Sequence, residues 1–305
     1  MDRRTFCTTP AAFLLGANAG SPLSRFKLGA ISDGFSEDFA EALRIMKSYG
    51  LHWVEIRQVF GIYNTETTPA QIRLIKDLLD RYEFRVSVID SALYKCVLPG
   101  TTPIVGEKDS YPYQGQMDLL KRACDRANAF GASKIRGFTF WRVDAPATFA
   151  ERIAGELNKA AEVAKSAGVR LVIENEEACN AATAHELARI LTLAPASNLG
   201  ANWDVGNGYW RGEASFPAGY QALDKKRIWH MHLKGVSCGA GFAHCSETLA
   251  GQGQNDLLGQ FRALLRDGYQ ETMSLECEYQ APGLSHLETT KRSLEGLLKV
   301  MVRSL

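Results

Sequence analysis

No apolar run in this chain of 305 residues approaches the roughly 20 residues that a membrane-spanning helix needs, so insertion into a bilayer is not expected. An excess of charge of one sign is also missing. The chain has 35 lysines and arginines against 34 aspartates and glutamates, and a net +1 gives no electrostatic reason to expect nucleic acid or an anionic membrane as partner. The seven cysteines show no C-x-x-C spacing, which removes zinc-ribbon and thioredoxin-type sites. No Gly-rich phosphate fingerprint follows the first strand-like run, Lys27-Leu28-Gly29-Ala30-Ile31, and this speaks against a doubly wound dinucleotide-binding sheet. What remains, 46% apolar and 23% charged residues without a low-complexity linker, is the composition of a globular protein with a sizeable core.

The N-terminus reads apart from the rest. Arg3-Arg4-Thr5-Phe6, a weakly apolar stretch from Ala11 to Gly16, and Ala17-Asn18-Ala19 follow the order of a basic region, a short apolar region and an A-x-A cleavage site. Paired arginines before Phe6 with so modest an apolar stretch resemble a twin-arginine export signal. Residues 1–19 are therefore expected to be removed, and residues 20–305 to form one domain in the periplasm. Cleavage would leave Cys96, Cys124, Cys179, Cys238, Cys245 and Cys277. Cys238 and Cys245 are close enough in sequence to pair across a loop in an oxidising compartment; otherwise these six read as small buried hydrophobes.

Beyond the signal, strand-like and helix-like segments alternate. Strands are predicted at 27–31, 53–56, 85–89 and 134–138. Four more are Val169-Arg170-Leu171-Val172-Ile173, Leu199-Gly200-Ala201-Asn202-Trp203, Ile228-Trp229-His230-Met231-His232 and Thr272-Met273-Ser274-Leu275-Glu276. Helices are predicted at 38–49, 68–82, 116–130, 147–167, 183–193, 217–223, 255–267 and 285–302. Eight strand–helix pairs in alternation describe an α/β protein, a single (β/α)8 TIM barrel. The Pro-, Gly- and Tyr-rich stretch 90–115 leaves the third strand on the barrel's C-terminal face and reads as a lid.

The last four strands end on polar groups: Glu174, Asp204, the imidazoles of His230-Met231-His232, and Glu276. A buried unpaired charge is expensive, so four such ends in succession are hard to explain by packing. In a barrel they converge on one mouth. Three carboxylates and one neutral imidazole make a shell for one fairly hard divalent cation. With no thiolate in the set, manganese is expected first, with magnesium, cobalt and zinc as alternatives.

The stretches Gly50-Leu51-His52-Trp53-Val54-Glu55-Ile56-Arg57, Val172-Ile173-Glu174-Asn175 and Trp203-Asp204-Val205-Gly206-Asn207 carry a resemblance, together with His230-Met231-His232-Leu233-Lys234, Gly251-Gln252-Gly253 and Leu275-Glu276-Cys277-Glu278. In this order and spacing they resemble the xylose isomerase-like TIM-barrel superfamily, in the branch of sugar phosphate isomerases and epimerases, hydroxypyruvate isomerase and inosose dehydratase. The resemblance implies that Glu174, Asp204, His232 and Glu276 are the metal ligands and leaves His230 one layer deeper. Glu174 and Glu276 are then the catalytic pair, one removing and one returning a proton through an enediolate. Substrate contacts are expected from Glu55, Lys234, Asn207, His230 and Trp141. Two departures matter. Asn207 stands where several members carry a substrate-contacting histidine, and Lys234-Gly235-Val236-Ser237 replaces the Gly-Glu-x-Asn-Arg run of ketose epimerases.

The function expected is a metal-dependent sugar isomerase or epimerase with a small carbohydrate as substrate. The alternative is a lyase (dehydratase) or hydrolase of inososes or 3-keto-glycosides in the same barrel, because proton abstraction beside a carbonyl serves both. A non-catalytic sugar-binding protein is a further alternative. Endonucleases that share the fold use three zinc ions and more histidines than the six present here. A homo-oligomer is left open.

Overall fold

Short apolar runs bounded by turn residues become eight strands in the computed structural model, which describes residues 22–305. They are β1 (Lys27–Ile31), β2 (Trp53–Ile56), β3 (Arg85–Leu93), β4 (Lys134–Gly137), β5 (Arg170–Glu174), β6 (Leu199–Asp204), β7 (Ile228–Leu233) and β8 (Thr272–Leu275). The expected export signal lies outside the described residues. Each strand pairs in parallel with the next, and β8 pairs with β1, so the sheet closes into a barrel without an edge.

Helices α1 (Phe39–Ser48), α2 (Pro69–Tyr82), α3 (Gln116–Phe130), α4 (Ala150–Ser166), α5 (Ala184–Leu193), α6 (Tyr220–Ala222), α7 (Leu257–Arg266) and α8 (His286–Ser304) connect the strands. Their starts follow local chemistry. Thr68 and Thr183 each close a capping box, with Gln71 and Glu186 respectively, and satisfy backbone donors that α2 and α5 leave free. The helix expected at 217–223 shrinks to the single turn α6. The wide turn Ser215–Gly219 before it holds Phe216 extended, and Pro217 has no N–H to give to a helix.

Strand β3 runs to Leu93, four residues beyond the expected end, because Asp90 and Leu93 pair with Arg136 and Gly137 of β4, across a register shift, where the lid was expected to begin. The lid expected from residue 90 therefore starts at 94. The hydroxyls of its tyrosines are held by neighbouring elements: Tyr94 donates to the Glu156 carbonyl, Tyr111 to the Glu66 carboxylate and Tyr113 to the Glu156 carboxylate. Two hairpins too short to read from periodicity also appear, Gln58–Val59 with Ile62–Tyr63 and Gly235–Ser237 with Ser246–Thr248. A disulfide between Cys238 and Cys245 closes the second, while Cys96, Cys124, Cys179 and Cys277 are buried thiols.

Alternation along each strand decides what the barrel holds. On β6, Trp203 points to the helix layer and stacks on Tyr220 at 5.5 Å, whereas Asn202 and Asp204 point inward. Gly29 in β1 lies opposite Trp53 of β2, and a Cβ there would sit 2.6 Å from the Trp53 carbonyl oxygen. Gly29→Ala should therefore lower stability by about 1–3 kcal/mol, as overpacking against backbone does. A urea midpoint equal to that of the wild type would show that the strands can spread there at no cost.

Candidate metal centre

Four side chains meet at the C-terminal mouth. Glu174 ends β5, Asp204 ends β6, His232 is the penultimate residue of β7, and Glu276 follows β8. Each offers one ligand atom, and these atoms lie within 4.8 Å of one another. Parallel pairing brings Asp204 level with His232, and His232 level with Ser274 two residues before Glu276. All four are at least 96% buried.

Positive charge is woven between the carboxylates. His232 Nδ1 faces Glu174 Oε1 at 3.0 Å and Glu276 Oε2 at 3.2 Å. Arg136 donates to Glu174 Oε2 at 3.0 Å and also approaches Glu276 and Asp90. Lys234 Nζ lies 2.8 Å from Glu276 Oε2 and 3.2 Å from Asp204 Oδ2. Burial opposes ionisation of Glu276, but Lys234 and His232 hold it well below the usual carboxylate range. For Glu174 burial is likewise outweighed by His232 and Arg136. Burial pushes Asp204 up to about 7 despite Lys234. Burial should make His232 less basic, yet Glu55, Glu276 and Glu174 raise it well above an ordinary imidazole.

These residues fit a divalent cation. The three carboxylates and the imidazole bring their ligand atoms within 4.8 Å of one another, and hard oxygen donors with one imidazole suit such an ion. Asp204 Oδ1 is held by the backbone N–H groups of Gly206 and Asn207, both at 2.7 Å. Its Oδ2 is buried and makes the Lys234 ion pair without a hydrogen bond of good geometry, which leaves an acceptor aimed into the cluster.

The other expected contacts fall into two groups. Glu55 and His230 lie below the ligands and are fully buried. Glu55 Oε2 takes His230 Nε2 at 2.8 Å and Oε1 takes His232 Nε2 at 3.0 Å, which makes them supports of His232. Burial pushes His230 down to about 4, so its ring is neutral. Asn207 is also committed: its amide donates to the Asn175 carbonyl, and Asn175 in turn bonds both backbone groups of Asp204. Lys234 stands among the ligands. Trp141 lies on the rim, where its indole donates to Asp109 of the 94–112 segment at 2.8 Å.

Sequence reasoning missed three neighbours. Asp90 pairs with Arg136 at 3.1 Å inside the barrel; a charge within the apolar run Val86–Leu93 was the available signal. Lys95, over the Phe138 ring and 3.7 Å from Glu176, sits on a loop, and Glu247, 3.8 Å from Lys234, on the short hairpin strand Ser246–Thr248; neither carries a periodic signal.

Residues 43–300 match the profile of the family described as xylose isomerase-like TIM barrel. No curated protein matches the chain in sequence. Among solved structures, the IOLI protein with a bound zinc atom is similar at a TM-score of 0.70 and 15% identity, covering 92% of this chain and 99% of that one. A xylose isomerase-like TIM barrel protein from Mycobacterium smegmatis in complex with magnesium gives 0.67 and 17%, covering 93% and 99%. The 3-keto-D-glucoside 4-epimerase of E. coli gives 0.66 and 15%, covering 90% and 99%. At these identities the likeness is one of fold.

Protein prepared without chelator should carry about one equivalent of divalent metal by elemental analysis, and Asp204→Ala or His232→Ala should lose most of it. Wild-type stoichiometry in both variants would remove these residues from the ligand set.

Proposed function

The chain belongs to the xylose isomerase-like TIM-barrel family, and from that premise we propose that it is a divalent-metal-dependent isomerase or epimerase of an unphosphorylated carbohydrate. The observation that carries this reading is the pair Glu174 and Glu276. Both reach the same His232 Nδ1 from separate strands, and each has a different cation nearest to it, Arg136 at 3.0 Å and Lys234 at 2.8 Å respectively. Glu174, Asp204, His232 and Glu276 would hold the ion, with manganese the first expectation, and the ion would polarise the substrate oxygens as a Lewis acid.

One glutamate takes the proton from the carbon beside the carbonyl. The bonding pair moves into the carbonyl to give an enediolate, and the other glutamate returns a proton to that carbon or to its neighbour. Arg136 and Lys234 keep both carboxylates ionised until one is needed as a base. Lys234, placed among the ligands, can also donate to a developing oxyanion. Trp141 supplies an apolar wall at the rim, and Asn207 holds the turn that carries Asp204.

A lyase or hydrolase acting on inososes or 3-keto-glycosides is the second reading. It is favoured by the run Lys234-Gly235-Val236-Ser237, which lacks the groups that resemblance assigns to ketose epimerases. The compartment we propose is the periplasm. In support, Arg3-Arg4-Thr5-Phe6 has the form of an export signal, and the Cys238–Cys245 disulfide is a bond that oxidising compartments preserve.

Glu174→Gln and Glu276→Gln should each reduce turnover by about two to four orders of magnitude while leaving the fold intact. Solvent deuterium should enter the product beside the carbonyl, and turnover without any incorporation would point to hydride transfer instead. A mass-resolved screen of free ketoses, inososes and 3-keto-glycosides separates the two readings: isomers of unchanged mass support the first, loss of water or aglycone the second.

Replacing Arg3 and Arg4 by lysine should trap a precursor in the cytoplasm, and the mature protein should begin at Gly20. A soluble cytosolic product starting at Met1 would end the export proposal.

A further inference from the structure

A file of buried polar groups descends the barrel from His232 to the N-terminal end of the strands. Lys134 is the first residue of β4 and Thr272 the first of β8, so both lie at the end remote from the candidate metal centre. Lys134 Nζ donates to Thr272 Oγ1 at 2.7 Å, and also to the Trp229 carbonyl at 2.8 Å and Glu271 at 3.1 Å. Thr272 Oγ1 lies 2.7 Å from His230 Nδ1, His230 Nε2 lies 2.8 Å from Glu55 Oε2, and Glu55 Oε1 lies 3.0 Å from His232 Nε2. Each of these five residues is at least 96% buried, so water does not compete for the bonds.

The two ends of the file fix its direction. An ammonium can only donate. Thr272 accepts from Lys134, and the one further partner of its hydroxyl among the described residues is His230 Nδ1; a buried O–H left without an acceptor is costly, so the favoured order has Thr272 donating to that nitrogen. A neutral imidazole that accepts at Nδ1 carries its proton on Nε2, and that N–H points at Glu55. The Glu55 carboxylate only accepts, so its other oxygen takes the Nε2–H of His232. When a cation replaces the proton that Glu174 and Glu276 favour on His232 Nδ1, the lone pair of the ring falls on that atom, because Nε2 keeps its hydrogen for Glu55. Asn202 agrees with this order. Its amide lies 3.2 Å from His232 Nε2 and its Oδ1 is buried without a partner, so turning the amide over offers Oδ1 to the same N–H.

We propose that Lys134, Thr272, His230 and Glu55 form a directional hydrogen-bond relay that sets the tautomer of His232 from the far end of the barrel and thereby makes Nδ1 its metal-binding atom. The proposal rests on the metal centre described above. Lys134, Thr272 and His230 are positioning residues that act through Glu55. The same Glu55, His230 and His232 could themselves gather round an ion, and the stoichiometry below decides between that use and the relay.

The test uses the full chain, labelled with 15N, and zinc as a diamagnetic probe. Two-bond proton–nitrogen correlations of the imidazole rings should show His230 as the Nε2–H tautomer with and without zinc. In the zinc-loaded protein they should show His232 with metal on Nδ1 and hydrogen on Nε2. Thr272→Val, which keeps the shape and removes the hydroxyl, should weaken zinc binding about tenfold, the lower end of what outer partners of a metal ligand contribute. Thr272→Ser should restore it, and Lys134→Met should repeat the loss if the valine variant does not fold. An Nδ1–H His230 would overturn the relay, as would zinc affinity unchanged in a folded Thr272→Val or Lys134→Met variant, or two zinc equivalents with His230 as a ligand. A wild type that binds no zinc would overturn the metal-centre reading and the relay together, whereas the other failures leave wild-type binding intact.

Discussion

Carboxylates of Glu174, Asp204 and Glu276 surround a barrel mouth, with Glu55 beneath them, where most water is excluded, and like charges in such a place are tolerable only with positive charge among them. The chain meets this demand by sharing. Arg136 serves Asp90, Glu174 and Glu276; Lys234 serves Asp204, Glu276 and Glu247; Arg57 reaches Asp33, Glu276 and Glu278. No carboxylate is cancelled by a partner of its own. The result is a lattice of charge in which one more cation, placed at the imidazole, completes the set. Barrel closure makes this lattice possible, since only converging parallel strands bring so many inward-facing groups to one depth.

The strands that end on charged groups were legible because a carboxylate at the end of an apolar run stands out against its neighbours. Glu174, Asp204 and Glu276 could be picked from pattern alone, and closure of the barrel follows from the count of alternating segments. Depth was not legible. His230 and His232 are two apart on one strand and share a face, so alternation treats them alike, while the structure separates them by a full layer. Depth also places Glu55, expected from the resemblance as a substrate contact, below His232 with both its oxygens on imidazole nitrogens. The directions of the tyrosines in the stretch 90–115 were not legible either, for a different cause. Composition shows that a segment is aromatic, but the direction of each ring depends on the helices beside it, such as Glu156 of α4 for Tyr94 and Tyr113.

Two kinds of backbone carry the site, and they differ in how freely they can change. The four clustered side chains Glu174, Asp204, His232 and Glu276 ride on barrel strands or their immediate ends, fixed by ladders on both sides. The rim groups Lys95, Asp109, Trp141 and Glu247 ride on connections between strand and helix or within a hairpin, joined by a few side-chain bonds such as that from Trp141 to Asp109. An insertion or exchange in a connection alters what the mouth can admit and leaves the strand ends untouched. Descendants of such a barrel can therefore diverge in diet while inheriting one chemistry.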